Sequence, residues 1–147
     1  MLTVQRATLI VDLDHVPGIS RQLGADAGEE LIWFAAWRIT DVVRDDGAVN
    51  QASRGQFKIA LYAYVDETTV HQLSARLHAS LRAPFTVRGR EIFTSASIGV
   101  GLGVSESAES LQRSAVEAMR RVKANGGDAT FMVRCASSRQ PYSTAAA

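Results

Sequence analysis

Apolar residues gather first into one unbroken run, Ala7-Thr8-Leu9-Ile10-Val11, which stops at two acids one residue apart, Asp12 and Asp14. A β-branched, aliphatic run of this length predicts a buried strand. It delivers both carboxylates to the carboxyl edge of a sheet, where α/β proteins collect their ligands. The spacing then lengthens to that of helices. Residues 15–24 predict a short helix with Pro17 in its first turn and Gly24 closing it. Residues 26–45 predict a longer one, acid-rich at its start (Asp26, Glu29, Glu30), with a buried stripe of Leu31, Phe34, Ala35, Ile39 and Val42.

From residue 48 the pattern changes to alternation. Residues 48–53, a turn at Arg54-Gly55 and residues 56–65 predict a hairpin, with Phe57, Ile59, Leu61 and Ala63 on one face. Residues 67–82 return to helical spacing through Val70, Leu73, Leu77 and Leu81, and Pro84 blocks any continuation. A second hairpin is expected from 85–88 and a long return strand, 91–104. A last helix over 108–125 buries Leu111, Ala115, Ala118, Met119 and Val122, and a closing strand covers 129–133. From residue 134 the Ser-, Ala- and Gln-rich composition predicts a disordered tail. Alternating β and α segments with two hairpins indicate one domain over residues 1–133: an α/β, two-layer sandwich of helices against a mainly antiparallel sheet.

Composition narrows the function classes. A chain of 147 residues, 46% hydrophobic and 21% charged, suits one soluble domain. A net charge of +1 leaves no electrostatic footprint for nucleic acid or an anionic membrane. The single cysteine, Cys135, fits a reducing compartment, and no signal-like start or spanning run is evident, so a cytoplasmic setting is expected.

Four segments in order resemble the GGDEF domain, the catalytic module of diguanylate cyclases: Val11-Asp12-Leu13-Asp14-His15; Leu23-Gly24 with Gly28-Glu29-Glu30-Leu31; Thr94-Ser95-Ala96-Ser97-Ile98-Gly99-Val100; and Ala118-Met119-Arg120-Arg121-Val122-Lys123. The resemblance spans about residues 7 to 133. It implies a nucleotidyl cyclase, ferredoxin-like fold and a history of GTP binding. The family's signature turn aligns with Ser53-Arg54-Gly55-Gln56-Phe57, where only the phenylalanine matches. Ser53 and Arg54 put side chains where two glycines admit the triphosphate. Gly55 stands where a carboxylate shares Mg²⁺ with Asp12, and Gln56 replaces an acid. No catalytic set is intact by this alignment, and Asp12 is a vestigial metal ligand. A weakly held Mg²⁺ is the one cofactor expected, since metal-assisted phosphoryl transfer needs ions beside the triphosphate.

The resemblance assigns nucleotide binding to Asp12, Ser20 (an asparagine in the family), Glu29 (an aspartate) and Lys123, while Gly127 replaces a phosphate-binding arginine. Arg44 is the remnant of an inhibitory Arg-x-x-Asp motif whose acid is missing, with Asp46 one residue early. The family's Asp-x-Leu-Thr-Gly-Leu-x-Asn-Arg turn and preceding helix have at best a trace in Leu2-Thr3. No sensory domain or dimerising coiled coil fits within the chain.

Other readings of the same residues are simpler. Asp14 suits an N-cap of the next helix. Lys123 suits a helix C-terminus through the dipole. Arg54 suits a solvated turn, and His71 and His78 suit a polar helix face. The series Gly99-Val100-Gly101-Leu102-Gly103 lacks the strand–turn–helix setting of a dinucleotide fingerprint. Trp33 and Trp37, at i, i+4, form either an exposed ridge or a buried contact. The functional reading is a degenerate, catalytically silent GGDEF-like module that binds a guanine nucleotide or a protein partner in cyclic di-GMP signalling. The alternatives are a residual cyclase converting two GTP to cyclic di-GMP and an interaction-only domain.

Overall fold

The computed structural model describes residues 4–135; of the tail expected from residue 134, the part from 136 onward lies outside them. Twelve segments follow in order: β1 (Arg6–Leu13), α1 (Val16–Leu23), α2 (Ala25–Val43), a 3₁₀ turn (Arg44–Asp46), β2 (Gly47–Ser53), β3 (Gln56–Leu61), α3 (Glu67–Arg82), β4 (Phe85–Val87), β5 (Arg90–Ile92), β6 (Ala96–Gly103), α4 (Ala108–Ala124) and β7 (Ala129–Arg134). The main sheet runs β2-β3-β1-β6-β7, antiparallel except for the β6–β7 pair. The mainly antiparallel sheet with helices is the architecture that the pattern predicts.

Its layering is finer than a two-layer sandwich. Leu9, Val11, Ile98, Val100 and Leu102 join α2 and α3 in the larger core, with Leu31, Ala35, Ile39, Val70, Leu73 and Leu77. Ile10 points the other way, onto Ala115 and Met119 of α4. The glycine series explains how α4 fits. A Cβ on Gly99 would overlap the Ala115 carbonyl and the Met119 amide, and one on Gly101 would overlap the Leu111 carbonyl. The missing side chains let a helix backbone lie directly on the strand.

Four expectations change. The second strand of the first hairpin, expected over 56–65, ends at Leu61, and Ala63 is exposed. The long return strand is broken at Phe93–Ser95: β4 and β5 form a separate two-stranded ribbon, and β6 starts only at Ala96. The α2 stripe is rotated, with Ile32 and Val43 buried while Phe34 and Val42 are half-buried. β7 extends to Arg134, which the tail was expected to contain and which instead pairs with Glu67. Among the described residues no helix is long and apolar enough to cross a membrane.

Candidate functional site

β1 ends between β3 and β6, with Asp12 opposite Gln56 on one side and Ser97 on the other. The strand therefore carries its acids into a frame built by both neighbours and by the end of α4. Lys123, in the last turn of α4, directs its Nζ to Asp12 Oδ1 at 2.8 Å, the Leu13 carbonyl at 3.0 Å and Asp14 Oδ1 at 3.1 Å. Gln56 Nε2 donates to the remaining Asp12 oxygen at 3.1 Å. One ammonium thus serves two carboxylates and a backbone oxygen, far more than the helix dipole alone would require.

Asp14 is not the helix N-cap. That position belongs to His15, in the left-handed region at φ 63°, and its side chain makes no cap bond. Asp14 is instead buried, at 3% exposure. Its carboxylate accepts from Ser95 Oγ at 2.5 Å, Ser97 Oγ at 2.7 Å and the Asp128 backbone N–H at 3.0 Å, besides Lys123. Burial pushes its carboxyl pKa up, but the Ser95, Ser97 and Lys123 contacts outweigh burial and hold it below the usual carboxylate range. The Ser95/Ser97 partnership was legible in principle: two small hydroxyl residues at i, i+2 in extended chain point the same way, Ser95 just before β6 and Ser97 within it. The pairing of that strand with β1 was what the sequence did not supply. A Cβ on Gly127 (φ +77°) would come within 3.0 Å of the Asp14 carboxylate.

A second cluster lies at the β2–β3 turn. Arg54 Nη1 pairs with Glu29 at 2.7 Å, and its Nη2 donates to Ser20 Oγ at 3.1 Å. The expected solvated Arg54 is therefore engaged, and it joins the two side chains that the resemblance assigns to nucleotide recognition. Gly28 makes room, since a Cβ there would overlap Ser20 Oγ. Ser53 is exposed, Gly55 is at φ +72° with its carbonyl accepting from the Leu13 N–H, and Phe57 is buried at 1% in the core. Phe57 is thus a packing residue of β3. Arg44 stands apart from both clusters and pairs with Asp41 at 3.6 Å rather than Asp46.

One further reading is corrected, and one left open is decided. His78 is not on a polar face: at 7% exposure its Nε2 lies 2.7 Å from Thr130 Oγ1, and its Nδ1 has no partner. Trp33 and Trp37 are exposed, at 61% and 66%. Among the described residues no three or more His, Cys, Asp or Glu side chains group to hold a metal ion.

Residues 3–129 match the family described as "Diguanylate cyclase, GGDEF domain". The chain is 33% identical over 131 residues to the cyclic di-GMP phosphodiesterase NbdA of Pseudomonas aeruginosa, a match covering 87% of this chain and 17% of NbdA. The GGDEF domain of PA1120 (YfiN or TpbB) from Pseudomonas aeruginosa superposes with a TM-score of 0.82 at 25% identity, covering 88% of this chain and 83% of that one. An EAL/GGDEF domain protein from M. capsulatus gives 0.78 at 28% identity, with 87% and 84% covered. The chain spans about a sixth of the length of the curated relatives it matches.

Proposed function

This chain belongs to the GGDEF domain family of diguanylate cyclases, and from that premise we propose that it serves cyclic di-GMP signalling without synthesising cyclic di-GMP. The observation that carries the reading is the Lys123 ammonium, 2.8 Å from Asp12 and 3.0 Å from the Leu13 carbonyl. Asp12 is the residue that the resemblance assigns to the metal. Mg²⁺ requires near-octahedral oxygen ligation at about 2.0–2.1 Å. Here Asp12 already receives Lys123 and Gln56, and Gly55 brings no side chain. The donor set fits the ion poorly, and no chemical step is assigned to it.

The base side supports the same conclusion. Arg54 joins Glu29 and Ser20, so the positions that would meet guanine first satisfy one another. What is left is a regulatory module, responsive to a guanine nucleotide or to a protein partner. NbdA carries a segment of this kind within a phosphodiesterase, which supports a regulatory place for such a module beside enzymes of this signalling system. The GTP that the family uses is an intracellular nucleotide, which supports a cytoplasmic setting.

Incubation with GTP and Mg²⁺ or Mn²⁺, with chromatographic detection of products, is expected to yield no cyclic di-GMP. Turnover that disappears in Asp12→Ala would sink the reading. Thermal denaturation with guanine nucleotides measures binding separately, because a ligand that prefers the folded state must stabilise it. Small shifts are expected for the parent chain and larger ones for Arg54→Gly, in which Ser20 and Glu29 are released.

A further inference from the structure

The solvent side of α2 presents Asp26, Glu30, Trp33, Trp37 and Thr40 at successive steps of four and three residues, and Arg44 follows four residues on, just past the helix end at the start of the 3₁₀ turn. This is the spacing of a two-helix seam, yet among the described residues no element covers its centre. Trp33 and Trp37 stand 61% and 66% exposed. A groove of about 570 Å³ lies along one side of this ridge, lined by Trp33, Ala36, Trp37, Thr40, Asp41 and Arg44 among others. A second, of about 470 Å³, lies along the other side and reaches Arg38, Pro84 and Phe85.

We infer that α2 is a self-association face, on which a second copy of this chain docks antiparallel about a two-fold axis that crosses the solvent side of the helix level with residue 35. The occupant follows from the order of the residues. Antiparallel pairing about that point sets Trp33 against the partner's Trp37, Glu30 against the partner's Thr40 and Asp26 against the partner's Arg44. An isologous contact makes every such pair twice. The apolar pair is central and the opposite charges lie at the two ends, so the face is complementary to itself. Each indole has a groove beside the facing ridge to enter, the ridge-into-groove fit of packed helices.

The charges involved are held loosely within one copy. Arg88 lies 3.6 Å from Asp26 and 3.3 Å from Glu30, and Asp41 lies 3.6 Å from Arg44, all at exposed or half-exposed positions. Arg44 can therefore bridge its own Asp41 and the partner's Asp26. Four indoles supply roughly 600 Å² of exposed aromatic surface at about 250 Å² each. With the ridge flanks added, the seam sits near the low end, about 1,200 Å², of specific interfaces. A weak, reversible dimer follows, with a Kd on the order of 100 µM. This inference stands independently of whether the site turns over GTP.

Sedimentation velocity on the full chain from about 5 µM to about 1 mM tests it. The expected result is a concentration-dependent monomer–dimer equilibrium, with indole emission shifting to the blue as dimer forms. Trp37→Ser weakens association by about tenfold or more, because buried aromatic anchors dominate such contacts. Asp26→Arg and Arg44→Glu each weaken it, and the two combined restore it. Circular dichroism of each variant checks that the fold is intact. A chain that stays monomeric throughout overturns the inference and leaves the ridge to a different protein. A dimer indifferent to Trp37→Ser places the contact on another face, and a charge exchange without rescue rejects the register; either result also overturns it.

Discussion

The Asp14 carboxylate accepts from Ser95, Ser97, Lys123 and the Asp128 backbone N–H, so removing it takes this acceptor from three neutral donors and leaves Lys123 with Asp12 and the Leu13 carbonyl. Asp14→Ala is expected to lower stability by about 3 kcal/mol, the scale of breaking one side of a buried ion pair. Asp12→Ala, at a more open carboxylate whose ammonium keeps Asp14, is expected to cost less than about 1 kcal/mol. Urea denaturation of both variants at constant m-value checks the ranking. His78 supplies a second test at this scale. Burial and then the Arg82 charge push its pKa down, against smaller upward effects of Asp128 and Asp14. The unfolded chain therefore binds the His78 proton more readily than the folded one. Stability is fully present above the ordinary histidine pKa of about 6.5 and is lost as pH falls below it. Asp14, with its pKa also lowered, adds a further loss only below about pH 4. Between roughly pH 7 and 5, His78→Gln should flatten the profile of unfolding free energy against pH.

At the scale of elements, packing of α4 onto β6 depends on glycines that a fingerprint search would misread. Gly99→Ala would drive a methyl group into the Ala115 carbonyl and the Met119 amide. A loss of about 3 kcal/mol is expected, the upper part of the usual overpacking range. Gly18→Ala in α1, where the nearest other atom is the flexible end of Arg21 at 3.9 Å, should raise stability by about 0.5–1 kcal/mol. Thermal melts of the two variants should move in opposite directions. The element boundaries themselves were largely legible: the α3 bounds and every buried residue of α4 follow from periodicity. The break at Phe93–Ser95 was not. There Thr94 Oγ1 donates to the Asp14 carbonyl and the Asp14 N–H donates to the Ser95 carbonyl, bonds that hold the chain to a distant strand and leave no local trace.

For the whole molecule, the larger core is continuous from α2 and α3 through β1, β3 and β6, and a single cooperative unfolding transition is expected. Hydrogen exchange should be slowest in β1 and β6, the central strands, whose residues are buried almost throughout. Circular dichroism and exchange together check this. Intrinsic fluorescence is a poor reporter of unfolding for the monomer, since both tryptophans already face solvent in the native state. The same core accounts for Phe57, which packs at 1% exposure among the residues of β1, α2 and β6.

Most element bounds, the sheet-and-helix class and the two acids at the end of the first strand could be read from the order of residues alone. These depend on hydrophobic periodicity and on residues adjacent in the chain. What those acids meet depends on the folded chain. Lys123 lies more than a hundred positions from Asp12, and Arg54 more than thirty from Ser20. Tertiary packing also decided that the tryptophans face outward: i, i+4 spacing places both on one side of α2, and which side is buried depends on the rotation that the sheet and α3 impose on that helix.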